Sequence, residues 1–211
     1  MTMGSEQRRE RDRQEMRDTI LRAAIKLFAE ESFEKVTMRR IAEAIDYTPG
    51  TLYWYFKDKD EIVFALHQRG FEILFAMQQP IMGISDPVER LRKLAEIYLQ
   101  FAFDNPQYYD LMFINSATGR CIERDEGSWK AGEAAFGVLR EIVRQVIEAG
   151  RWRGTSDPDV AAYACWAAVH GIASLHIRHR CGMLPVEDRE RILREAAGVY
   201  NELTKPAPDA D

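Results

Sequence analysis

Residues 37–56 read TMRRIAEAIDYTPGTLYWYF. Behind Thr37, the apolar side chains Ile41, Ala44 and Ile45 follow the i, i+3, i+4 spacing of a short amphipathic helix. Asp46-Tyr47 interrupts that pattern, and Thr48-Pro49 starts a second helix. A threonine hydroxyl accepts from the free amides of a first turn, and proline there gives up an amide that would have no partner. The spacing predicts two short helices joined by a tight turn, which is helix-turn-helix geometry. Ile41, Ala44 and Ile45 are expected to face inward. Ala42 is small enough to admit the crossing helix, and Leu52 and Phe56 close the little core. Thr51, Tyr53, Trp54 and Tyr55 then crowd the outside of the second helix, flanked by Arg39 and Arg40, a set of donors suited to phosphate oxygens.

The same start signal recurs outward from this stretch. Asp86-Pro87, Asn105-Pro106 and Asp157-Pro158 each open a segment of helical periodicity, and no alternation of useful length points to strands. Ile20, Ala24, Leu27 and Phe28 share one helix face. Val88, Leu91, Ala95, Tyr98 and Ala102 share another, as do Phe136, Leu139, Val143 and Val146. The chain is expected to be all-α, with about nine helices near 10–31, 37–45, 48–55, 58–79, 86–104, 106–115, 128–149, 157–180 and 186–203. Ser116 to Gly127 lacks periodicity and reads as a loop, and Lys205 to Asp211 as a frayed acidic tail.

Composition narrows the function classes. With 211 residues, 46% hydrophobic and 30% charged, the chain is an ordinary globular protein and no disordered or collagen-like polymer. Its three cysteines, Cys121, Cys165 and Cys181, share no C-x-x-C spacing, as expected of reduced thiols in the cytoplasm. Met1 to Arg17 holds no apolar run, so no signal peptide is read there. Val160 to Ile177 is uncharged but carries six alanines and two histidines, and reads as a buried helix, not a membrane span. Net charge is −5, yet residues 1–60 carry equal numbers of cationic and acidic side chains, leaving a neutral head able to present a few placed cations.

Ile20 to Ile62, ILRAAIKLFAEESFEKVTMRRIAEAIDYTPGTLYWYFKDKDEI, resembles the DNA-binding domain of TetR-family transcriptional regulators. The resemblance rests on Ala24, Phe28, Thr37, Ile41-Ala42, Thr51-Leu52-Tyr53, Phe56 and Lys59. It implies a DNA-binding domain over 1–62 and a C-terminal regulatory and dimerisation domain over 63–211. Arg39, Pro49, Gly50, Thr51 and Tyr53 are implied to approach base edges in the major groove. Thr37, Thr48, Trp54, Tyr55 and Lys59 are implied to hold phosphates. Chemistry agrees in part, since arginine forks onto guanine O6 and N7, and a glycine lets backbone come close. The turn departs from the family's usual Gly-Val pair: Asp46-Tyr47 stands there, and aspartate tolerates a left-handed backbone better than most residues. Arg8, Arg9, Arg11 and Arg13, interleaved with acids, read either as an arm onto DNA or as a solvated helix start.

Beyond residue 80 no phosphate loop, nucleophile elbow or zinc-protease motif appears, so no catalysis, cofactor or metal is expected. His176, His179 and Cys181 lack a carboxylate partner and read as a helix end. The segment Trp166 to Leu175 resembles the W-x-x-x-H-G stretch of the WHG subfamily of TetR C-terminal domains, and Asn105 to Phe113 fits the same subfamily. Tyr98, Phe101, Tyr109, Met112, Phe113, Trp129, Phe136, Trp166 and His170 are the candidates for an effector cavity, which favours an apolar or aromatic small molecule. The same side chains also serve helix packing. The helix near 157–180 is apolar around nearly its whole circumference and so needs neighbours on every side. With that near 186–203 it is the expected homodimer interface.

The sequence therefore reads as a cytoplasmic homodimeric regulator, a repressor released from a pseudo-palindromic operator by a small effector. The alternatives are a small helical enzyme, or an interaction adaptor, carrying a non-functional helix-turn-helix.

Overall fold

A computed structural model describes residues 3–31, 33–123, 130–185, 187, 191–192 and 195–196. Nine α-helices and no strands occur among the described residues. They are α1 (Met3–Glu30), α2 (Met38–Ala44), α3 (Pro49–Leu52), α4 (Lys59–Gln78), α5 (Pro87–Asp104), α6 (Pro106–Tyr109), α7 (Ser116–Glu123), α8 (Lys130–Glu148) and α9 (Pro158–Ile177). A 3-10 turn over Gln79–Gly83 follows α4, and a π-helical turn over Asp110–Ile114 follows α6. Most of the expected helix near 186–203, the tail after Lys205, Trp129 and the side chain of Cys121 lie outside the described residues.

The starts obey the capping chemistry read from the sequence. Thr37, Thr48, Asp86 and Asp157 are extended residues whose side chains accept from first-turn amides, and proline follows the last three. The stops share a second device. After α2, α8 and α9, Asp46, Gly150 and His179 take φ of 59°, 68° and 55°. The amide two residues past each helix's capping residue then returns to a carbonyl inside the helix, as Tyr47 does to Ala42 at 3.0 Å and Arg180 to Leu175 at 2.8 Å. His179 is thus a helix-ending residue.

Two expectations are corrected. α1 begins at Met3 and not near residue 10, so Arg8, Arg9, Arg11 and Arg13 ride on an exposed helix, the second of the two readings given for them. Ser116–Glu123 is helical, because the Asn115 carboxamide accepts from Ala117 N at 2.9 Å and the buried Thr118 hydroxyl donates back to Leu111 O at 2.7 Å. That cap is a single asparagine, without the apolar run that marks the longer helices.

The chain divides into two compact units, Met1–Gly70 with Gln107–Trp129, and Phe71–Pro106 with Lys130–Asp211. In the first, Ile20, Ala24, Leu27, Val36, Ile41, Ala42, Leu52, Phe56, Ile62 and Leu66 form one core, joined by Leu111 from the π-helical turn. Ala44, expected inward, is exposed, because the short α2 turns only Met38, Ile41 and Ala42 into that core. In the second unit α5, α8 and α9 pack together over Leu91, Leu94, Ile142, Val143, Val146, Ala161, Ala162 and Cys165. α9 buries Ala161, Cys165, Val169 and Ala173, one residue every fourth position. Its opposite face is open: Val160, Tyr163 and Leu175 are each more than half exposed, so the helix is not buried all round within one chain. By length and composition α9 could cross a membrane, but the α5 and α8 contacts seat it in protein.

Candidate nucleic-acid interface

The head carries its polar residues outward from that small core. On α2 the Thr37 hydroxyl accepts from Arg40 N at 3.1 Å, fixing the first turn. Arg39 stands out from the helix with 80% of its side chain exposed, and its Nε donates to Glu43 Oε1 at 2.8 Å. That carboxylate raises the affinity of the guanidinium for its proton. Arg40 points elsewhere: its Nε and Nη2 donate to Glu31 at 3.0 and 2.9 Å, clasping α2 to the end of α1.

The turn between α2 and α3 keeps the left-handed residue that glycine usually supplies, with Asp46 in its place. α3 is only four residues long. Thr48 Oγ1 accepts from Thr51 N at 3.3 Å and lies 3.0 Å from Thr51 Oγ1, so the Thr51 hydroxyl is partnered inside the helix. Gly50 is exposed, and a Cβ built on it would meet only Thr48 Oγ1, at 3.8 Å. The fold itself has room for a side chain at that position; the glycine leaves the backbone open to something outside. Tyr53 and Trp54 are 56% and 83% exposed, a large apolar area left in water at the end of a helix. Tyr55 is half-buried and packs against the core.

Two cations brace this surface. Arg17 of α1 lies 4.1 Å over the Phe56 ring and donates to the Tyr55 carbonyl. Lys59, at the start of α4, donates from Nζ to the Phe33 carbonyl at 2.9 Å, leaving two of its three protons for another acceptor. Asp58 accepts from Glu61 N at 2.9 Å, while Glu61 Oε2 accepts from Lys57 N at 2.6 Å, a reciprocal clasp that fixes where α4 begins. Arg17, Phe33, Glu31 and Glu43 were not singled out from the sequence. Only the Arg39 and Glu43 pair left a signal there, its i, i+4 spacing.

Comparison with known proteins adds a second line of observation. Residues 20–66 match the family described as bacterial regulatory proteins, tetR family. Residues 91–200, more than half of the chain, match the tetracyclin repressor-like C-terminal domain. The chain belongs to the TetR family. An HTH-type transcriptional regulator of Staphylococcus aureus strain USA300 is 31% identical over 127 residues, 60% of this chain. The chain spans 63% of the length of that curated relative. Among solved structures, the fatty acid degradation regulator FadR from Bacillus halodurans aligns with a TM-score of 0.71 at 15% identity, over 88% of this chain and 94% of that one. The TetR-family regulator PfmR from Thermus thermophilus aligns at 0.65 and 22%, over 88% and 96%. At such identities these likenesses speak for the TetR fold.

The residues considered for a TetR effector cavity fall in different units. In the second unit, Trp166 Nε1 donates to Tyr98 Oη at 3.1 Å, and that hydroxyl lies 3.2 Å from His170 Nδ1. The Trp166 ring meets Phe136 edge-on at 6.4 Å and His170 at 5.6 Å. Burial holds the His170 imidazole below its usual pKa. Phe101 is fully buried on α5. In the first unit, Tyr109 is fully buried with its ring 5.2 Å from Phe113, and Met112 sits against Gly70. Trp129 lies outside the described residues.

Proposed function

We propose that this TetR-family chain is a homodimeric transcriptional repressor that holds a pseudo-palindromic operator and is released from it by a small apolar or aromatic molecule. The observation that carries the DNA half is the outer face of the helix-turn-helix. Arg39, Gly50, Tyr53 and Trp54 are all solvent-facing there, while Leu52, the one large aliphatic residue of α3, is buried. Arg39, Pro49, Gly50, Thr51 and Tyr53 take the base edges, and Thr37, Thr48, Trp54, Tyr55 and Lys59 take phosphates. Residues 1–62 serve DNA, and 63–211 serve regulation and dimerisation in the cytoplasm, where the operator is. No step of this reading needs catalysis.

The dimer half rests on α9. Val160, Tyr163 and Leu175 make an apolar row on the face opposite its packed side, a face that a second copy covers by the two-fold pairing usual for homodimers. The effector half rests on the hydrogen-bonded cluster of Tyr98, Trp166 and His170, of which Trp166 and His170, with the adjacent Gly171, carry the WHG-like character. A ligand that prefers the DNA-free conformation weakens operator binding by the same factor by which DNA weakens the ligand.

A mobility-shift titration of the purified chain on its own upstream DNA tests the reading. A retarded complex is expected whose affinity falls steeply between low and moderate salt. Arg39→Ala is expected to lose about 1–3 kcal/mol at one base position. Equal affinity for upstream and random duplex at every salt concentration overturns the proposal, and a monomer of the full chain at micromolar concentration in sedimentation overturns its dimeric part.

A further inference from the structure

Glu43 is a charge in an awkward place. It sits on the exposed face of a DNA-facing helix, where a carboxylate repels every phosphate that approaches. Yet it is engaged, and by one atom in particular: Oε1 takes the Arg39 Nε proton at 2.8 Å. A guanidinium has a side edge, Nε with one terminal nitrogen, and an end edge made of both terminal nitrogens. Arg40 spends its side edge on Glu31, the residue just past the end of α1, and is held down as a clasp. Arg39 is tied through Nε to a residue of its own helix one turn on, which leaves the end edge facing outward on a side chain that is 80% exposed.

We infer that Glu43 is a positioning residue for base recognition: by holding Arg39 Nε it aims the end edge of the guanidinium, so that Arg39 reads O6 and N7 of one guanine in the major groove instead of swinging to a phosphate. This rests on the reading of Arg39 as a base contact. An untethered arginine has many rotamers and a nearer, sequence-blind target in the backbone. The tether biases the side chain toward this orientation before DNA arrives. It also cancels one positive charge, which lowers affinity for DNA of any sequence. Glu43 therefore gives up general affinity for discrimination.

The experiment uses the full-length chain and a random duplex library. Wild type, Arg39→Ala, Glu43→Ala and Glu43→Gln each select sequences, and affinities are then measured on the preferred site and on its single-base variants. Wild type is expected to require guanine at one position in each half-site, and Arg39→Ala to lose that requirement alone. Glu43→Ala is expected to lose about tenfold in discrimination at that same position while binding random duplex more tightly than wild type. Glu43→Gln keeps an acceptor for Nε without the charge, so it is expected to bind random duplex more tightly and still demand the guanine. A Glu43→Ala profile unchanged at that position, or affinity raised by one factor on all sequences in both Glu43 variants, overturns the positioning role. If Arg39→Ala changes no position, Arg39 reads no base and the inference falls while DNA binding stands. If wild type selects nothing, the DNA-binding reading falls with it.

Discussion

The Lys59 ammonium lies 3.9 Å from the centre of the Phe33 ring and donates to the carbonyl of the same residue at 2.9 Å. Phe33 in turn stacks on Phe28 of α1, with ring centres 5.4 Å apart. One side chain thus pins the segment after α1 to the start of α4. Lys59→Ala is expected to cost about 1–2 kcal/mol of stability, from a cation–π contact and a charge-assisted hydrogen bond at a partly exposed site. The same variant is expected to weaken DNA binding alike on all sequences and to reduce the salt slope, as loss of a phosphate contact does. Urea denaturation and salt titrations of binding read the two effects separately. A stable variant with a changed base preference contradicts both.

Asp46 holds a φ of 59° in the turn that sets α3 against α2. Its φ is forbidden to β-branched residues at ordinary cost. Asp46→Val is expected to lose about 1–2 kcal/mol, and Asp46→Gly to be as stable as wild type or better, since glycine relieves the conformation but gives the unfolded chain more freedom. If the valine variant melts with the wild type, the turn does not need a left-handed residue.

His67 of α4 is fully buried, and burial pushes its imidazole from 6.5 down to about 4. Between those values the unfolded chain binds a proton that the folded chain refuses, so folding stability falls as the pH falls from 6.5 to about 4 and is intact above 6.5. The loss amounts to about 3 kcal/mol in order of magnitude. His67→Leu is expected to flatten that part of the stability curve relative to wild type, with other groups still titrating. Parallel curves for the two proteins over this range contradict a buried neutral His67.

Gly70 has no room for a side chain. A Cβ there would fall 2.2 Å from Met112 Sδ and 3.1 Å from its Cγ. Gly70→Ala gains helix propensity but must displace the methionine, and a net loss of about 1–2 kcal/mol is expected. Met112→Ala empties the contested space, so the double variant is expected to be more stable than the sum of the two single losses by at least about 1 kcal/mol. Strict additivity in thermal melts contradicts the contact.

What the sequence made legible was local chemistry. Thr48-Pro49, Asp86-Pro87 and Asp157-Pro158 announced three helix starts because each cap lies within three residues of the amide it serves. Ile41, Leu52 and Phe56 were readable as core from spacing. Ala44 misled because the apolar pattern of a seven-residue helix can be satisfied by more than one rotation about its axis. The first four turns of α1 have no apolar stripe, so periodicity could not show where the helix begins. Lys59 on Phe33 and Met112 on Gly70 are contacts between distant residues, which no window of sequence contains.

Leu111 gives the head an unusual schedule of synthesis. The core built from Ile20, Leu52 and Leu66 also includes this leucine, which lies beyond the midpoint of the chain. A ribosome making the protein joins all of α1 to α4 before it joins Leu111. Until then the emerging head has a gap where Leu111 belongs, and its apolar face stays open to chaperones. Completion of the helix-turn-helix waits on residues translated after α5. The nascent protein therefore completes the core of the head only once α5 has been made, and a prematurely terminated chain ending before α6 leaves the head without one of its core side chains.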